Sequence, residues 1–103
     1  VAKGANCVIA APDGRAVIDP GANPLVATAG TGDVLAGAIA GLLTQGVEPW
    51  EGAVAATRLC GLAADDLMPR YGSAGMLASD LHQQLPETLR DLRSGARGPR
   101  PDV

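Results

Sequence analysis

Two glycines, a threonine and an aspartate run directly into a helical repeat at Ala29-Gly30-Thr31-Gly32-Asp33. From Leu35 onward Ala38, Ile39, Leu42 and Leu43 form one apolar stripe at helical spacing. A helix entered through glycine leaves its first backbone N–H groups open. The aligned peptide dipoles add about half a positive charge at that end. Gly37 and Gly41 each cost such a helix up to about 1 kcal/mol relative to Ala, which predicts a close backbone neighbour beside them.

The flanking elements follow from turn chemistry. Val8-Ile9-Ala10-Ala11 and Ala16-Val17-Ile18-Asp19 are short apolar runs separated by Pro12-Asp13-Gly14-Arg15, the signature of a hairpin. Pro20-Gly21-Ala22-Asn23-Pro24 suits neither ladder nor helix and reads as a loop. Gly46 marks the end of the first helix, and Pro49 suits the first turn of a second one over residues 49–68. Trp50, Val54, Leu59, Leu62 and Leu67 spread around that helix, as burial on several sides requires. Residues 69–75 read as a loop. Ser79 is a natural N-cap for a third helix with the stripe Leu81, Leu85, Leu89 and Leu92, which Pro86 is expected to kink or restart. Residues 94–103 have no apolar period and are expected to form a disordered tail. There is no internal repeat.

Composition narrows the class further. Of 103 residues 47% are apolar, but 19 of these are Ala, Phe is absent, and Trp50 and Tyr71 are the only aromatics. A core of such small side chains needs closely approaching backbones, or belongs to something larger. The longest apolar run, residues 34–43, is half of what a membrane span needs. A net charge of −3 without a basic run argues against nucleic acid. Cys7, Cys60 and the single His82 have no familiar zinc spacing, so the cysteines read as buried thiols in a reducing cytoplasm.

The chemistry concentrates at residues 30–33. Open N–H groups at a helix start can hold a phosphate or a developing phosphoryl anion. Asp33 stands where a carboxylate could take a proton from an attacking hydroxyl. Alone, Gly-x-Gly-Asp also fits a glycine turn whose aspartate caps the helix. Other candidates are weaker. His82 reads as a surface residue near a helix start, and Asp65 and Asp66 point to different sides of a helix. Trp50 reads as packing, and Arg90, Arg93, Arg97 and Arg100 as helix-end and solvated charges.

Lys3-Gly4-Ala5-Asn6, the Pro-Asp-Gly hairpin, Asn23-Pro24, the run from Ala27 to Gly37, Gly75-Met76-Leu77-Ala78-Ser79-Asp80-Leu81 and Leu85-Pro86 occur in that order. Together they resemble the C-terminal part of the ADP/ATP-dependent NAD(P)H-hydrate dehydratases, within the ribokinase-like superfamily. The resemblance implies an α/β fold: the C-terminal portion of a ribokinase-like α/β/α sandwich, with short strands or a hairpin followed by three helices. It assigns residues 1–93 to such a domain, truncated at its N-terminus because the family domain is about two to three times longer.

The same resemblance implies a nucleotide-binding segment at Lys3, Gly4, Ala5, Asn6 and Cys7, and a phosphate contact at Gly32 completed by Gly30 and Thr31. It places Asp33 at the hydrated nicotinamide, as substrate contact and base. The implied reaction phosphorylates the hydroxyl of the S-form of NAD(P)H hydrate with ADP or ATP, Mg²⁺ accompanying the nucleotide, and phosphate loss regenerates NAD(P)H. Cys7 departs from the family's usual Thr, and Leu25 stands where Gly commonly follows Pro24. A cytoplasmic homo-oligomer without membrane or nucleic-acid partners is expected. The other readings are a different ribokinase-like small-molecule kinase, such as a vitamin-precursor kinase, and an inactive fragment acting only through chain association.

Overall fold

A computed structural model describes residue 1 and residues 7–19, 30–72 and 77–95. Strands β1 (Cys7–Ala10) and β2 (Ala16–Asp19) pair antiparallel, with Cys7 opposite Asp19 and Ala10 opposite Ala16. The turn between them closes through Ala11 N–H donating to the Arg15 carbonyl at 2.8 Å and Gly14 N–H to the Ala11 carbonyl at 3.1 Å. Gly14 sits at φ 96°, a region that a side chain disfavours. Three helices follow: α1 (Thr31–Thr44), α2 (Pro49–Tyr71) and α3 (Ala78–Ser94). The described segments thus form an α/β arrangement of one hairpin and three helices.

Helix α2 lies at the centre. Proline occupies its first turn, and the Glu48 carboxylate accepts the Glu51 N–H at 3.3 Å. Toward α1, Leu35, Ala56 and Cys60 form one buried cluster, flanked by Ala38, Ile39 and Leu42. Toward α3, Ala63, Ala64, Leu67 and Leu81 form a second, flanked by Val34 and Tyr71. Leu85 of α3 packs against both clusters and joins them. Ala56, Ala63 and Ala64 have no exposed surface, so the helices meet through methyl groups as the composition predicts. The hairpin packs on α2 through β1, where Ile9 is buried. Arg58 reaches Asp19 at 3.3 Å, and Arg15 stacks over Trp50 at 4.9 Å.

A polar contact crosses the middle of the α2–α3 seam. The fully buried Thr88 donates its hydroxyl to the Asp66 carboxylate at 2.7 Å and accepts from the Gln84 amide at 3.2 Å. A buried hydroxyl with a charged acceptor fixes the rotation of α3 about its own axis more sharply than leucines can.

Several expectations change. The loop expected over residues 69–75 begins later, because α2 continues through Pro69 to Tyr71 and closes at Gly72, whose N–H reaches the Met68 carbonyl at 2.8 Å. Pro69 lies in the last turn, where its missing N–H leaves only one carbonyl without its usual partner. Pro86 does not restart α3, which runs through it as a single helix with that proline on its exposed side. Ser79 is not the N-cap: Leu77 holds that position, and Asp80 supplies the capping carboxylate. Among the described residues nothing lies within 4 Å of where a Cβ at Gly37 or Gly41 would stand, so the expected close neighbour is absent there. Cys60 is buried and Cys7 half-buried, both as free thiols. Ser94 still belongs to α3 and Gly95 closes it at φ 73°; the remainder of the expected tail, 96–103, lies outside the described residues, as does the loop over residues 20–24.

Replacing Thr88 by Val keeps the volume and removes the bond to Asp66. We expect Thr88→Val to lose about 1.5–3 kcal/mol in denaturant unfolding of the protein. Thr88→Ser, which retains the hydroxyl, should lose less than half of that. Equal losses in the two variants would assign the effect to packing alone.

Candidate active site

Helix α1 opens on Gly30, at φ 90° and ψ −10°, with no side-chain cap. The left-handed turn brings the Gly30 carbonyl onto the Asp33 and Val34 N–H groups at 3.1 and 3.3 Å. Thr31 follows and is buried, 3% exposed, which seats the first turn against the protein. Gly32 and Asp33 are exposed at the same end. Thr31 therefore anchors the helix start, and Gly30, Gly32 and Asp33 present it.

The two glycines are needed for different reasons. Gly30 takes a positive φ, and a Cβ there would come within 3.0 Å of the Ala78 Cβ. Gly32 has an ordinary helical φ, and a Cβ there would meet nothing within 4 Å. Structure alone thus demands glycine at 30 and not at 32.

Asp33 occupies the third helical position, where the helix dipole favours negative charge. Among the described residues its carboxylate makes no hydrogen bond or ion pair, so it does not serve as the cap of α1. Along its face stand Ala36, Gly37 and Ala40, all small and exposed, which leaves room beside the carboxylate.

Of the residues singled out in sequence, Gly30, Thr31, Gly32 and Asp33 stand together at this helix start. Cys7 opens β1 opposite Asp19, on the hairpin. Lys3, Gly4, Ala5 and Asn6 lie outside the described residues. Among the described residues no group of three His, Cys, Asp or Glu side chains could hold a metal ion, and no helix is long and apolar enough to cross a membrane.

Clefts also lie elsewhere among the described residues. One of about 310 Å³ runs between the hairpin turn and the start of α2, with Asp13, Arg15, Glu48 and Trp50 on its walls. The Arg15 backbone N–H, with its guanidinium behind it, holds the Asp13 carboxyl below its ordinary value. Those charges already answer each other. A smaller, polar cleft lies between α2 and α3 beside Tyr71 and Asp80. Sequence reasoning passed over both of these residues, although Asp80 stands three residues after Leu77, the interval of a capping carboxylate.

An α/β segment with a glycine-entered helix start that carries no side-chain cap is the class that this geometry defines. The chain belongs to the NAD(P)H-hydrate dehydratase family, whose family model matches residues 1–87. It is 49% identical over 90 residues to the bifunctional NAD(P)H-hydrate repair enzyme Nnr of Moorella thermoacetica, covering 87% of this chain and 17% of that protein. The Nnr of Escherichia coli is 48% identical over 86 residues, covering 82% of this chain and 16% of the relative. The ADP-dependent (S)-NAD(P)H-hydrate dehydratase of Neisseria meningitidis serogroup B is 43% identical over 82 residues, covering 79% and 28% respectively. The chain therefore spans less than a third of the length of each of these relatives. No solved structure matches it significantly.

The difference between the glycines has a direct stability signature. Gly30→Ala should lose about 1–2 kcal/mol from its left-handed backbone, with the Ala78 contact added. Gly32→Ala should be neutral or gain up to about 1 kcal/mol. Thermal unfolding of the two variants checks the ordering, and a reversed order would contradict the geometry.

Proposed function

We propose that this chain supplies the phosphate-handling end of an ADP- or ATP-dependent (S)-NAD(P)H-hydrate dehydratase built on a ribokinase-like fold. The observation that carries this reading is Gly32. It is a glycine at an exposed helix start that neither its backbone angles nor any described neighbour requires, next to a carboxylate with no partner among the described residues. Bare backbone there lets a phosphate approach the N–H groups closely, which a Cβ would obstruct. Family membership and the ADP-dependent relatives support the substrate assignment.

In this reading the start of α1 holds the transferable phosphate, and its dipole stabilises the charge that develops on the phosphoryl oxygens. Asp33 accepts the proton of the hydrate hydroxyl as that oxygen bonds to phosphorus and the nucleotide's P–O bond breaks. Phosphorylation converts a poor leaving group into a good one. The C–O bond then breaks, inorganic phosphate departs, and loss of a proton restores the dihydronicotinamide. Thr31 anchors the helix start from its buried side. Lys3, Gly4, Ala5, Asn6 and Cys7 are proposed to lie along the nucleotide. Among the described residues no protein-built cluster would hold the Mg²⁺ expected with it.

Two substitutions test this in an active family enzyme that carries this segment. Asp33→Asn should keep nucleotide binding and lose about 10²–10⁴-fold in turnover. Unchanged turnover would remove Asp33 from the base role. Gly32→Val should weaken ADP and ATP binding by about tenfold or more in titration calorimetry, because its branched side chain would stand where the phosphate approaches. Intact nucleotide affinity in that variant would overturn the phosphate site. A panel of hydrate and vitamin-precursor substrates separates the dehydratase from a related kinase.

A further inference from the structure

The start of α3 stands against the start of α1 and is tied to the end of α2 by a linkage that the proposed reaction does not itself use. Asp80 has two partners: its Oδ2 accepts the Leu77 N–H at 2.8 Å, and its Oδ1 accepts the Tyr71 hydroxyl at 3.1 Å. The first bond caps α3. The second joins that cap to the last residue of α2. One turn inward, Leu81 is wholly buried among Ala63, Ala64 and Leu67, with Val34 of α1 and Tyr71 of α2 packed on the same cluster. The position of α3 is thus fixed both along its axis and across it.

Ala78 stands at the first position of that helix. A Cβ built on Gly30 would be 3.0 Å from the Ala78 Cβ, closer than ordinary van der Waals contact, so no further carbon fits between the two. Gly30 is the residue whose left-handed turn aims the first N–H groups of α1. A capping aspartate needs only its helix N–H, so the bond from Tyr71 calls for a reason beyond capping.

We propose that Tyr71, Asp80 and Ala78 are positioning residues for the phosphate site: Tyr71 and Asp80 lock the start of α3, and Ala78 acts as the stop against which Gly30 sets the start of α1. The inference rests on the phosphate-site reading of residues 30–33 and adds to it three side chains that do not touch the substrate. Its force comes from the geometric tolerance of such sites, where a displacement of about 1 Å can cost 10²-fold in rate.

The test uses an active family enzyme that carries this segment, with initial rates measured against ADP or ATP and, separately, against (S)-NADH hydrate. Ala78→Val and Asp80→Ala should each raise the nucleotide KM by about tenfold and leave the hydrate KM within about twofold. Asp80→Asn should recover most of the loss, because its amide oxygen still accepts the Leu77 N–H and its NH₂ can donate to the Tyr71 oxygen. A merely structural role would instead lower the melting temperature and the rate per mole of protein while both KM values stayed put, and that result overturns the proposal. If Ala78→Val does not fold, Tyr71→Phe decides, since it removes one oxygen: a nucleotide KM raised about threefold supports the linkage, and an unchanged one removes it. Gly32→Val run in parallel separates the two levels. If it raises the nucleotide KM while the Ala78 and Asp80 variants do not, only the positioning role fails. If it also leaves the nucleotide KM unchanged, the phosphate site lies elsewhere and both readings fall.

Discussion

Methyl-on-methyl packing along α2 is the contact on which the other elements depend. Ala56 serves the α1 side, Ala63 and Ala64 serve the α3 side, and none of the three has any exposed surface. Alanine buries little area per residue, so each contact contributes modestly. What it supplies is room, because small residues on α2 let Leu35 of α1 and Leu81 of α3 seat close to its backbone. That close seating lets the N-terminal ends of α1 and α3 meet, with Ala78 directly against Gly30. Bulkier residues on the α2 face would bury more surface and push the two ends apart.

The seam is specified by a few polar groups set among these small residues. Thr88 ties α3 to Asp66 in its middle, and Asp80 ties it to Tyr71 at its start. An alanine-rich seam has few interlocking shapes to define rotation or register, so directional bonds fill that role. The two bonds lie on either side of Leu85, which joins the clusters facing α1 and α3. The contact is therefore fixed in the middle of α3 and at its start, and the proposed phosphate site sits beside that start.

Much of the fold could be read directly from the residues. The hairpin follows from the Pro-Asp-Gly turn, α1 from its apolar period, and the start of α2 from Pro49, because each signal is local and strong. That residues 30–33 open α1 was legible for the same reason, since they are contiguous. Residue type alone misplaces the end of α2 at Pro69 and the cap of α3 at Ser79. Pro69 lies in a final turn, where a missing N–H costs a helix little, and the cap of Leu77 comes from Asp80, three residues on. Tyr71 and Asp80 were missed because their partnership arises only when α2 and α3 fold back on each other. The glycines at 37 and 41 have no described neighbour to explain them.

The hairpin has a practical consequence for handling this polypeptide. Among the described residues its two strands pair only with each other, and Val8, Val17 and Ile18 remain exposed, Ile18 at 61%. Outer strands with open amides and apolar side chains recruit other strands from solution, by the same hydrogen-bond geometry that seeds aggregates. An edge of that kind favours strand pairing between copies as concentration rises. A soluble fusion partner or charged substitutions on the outward face of β2 would counter that tendency before any ligand is added.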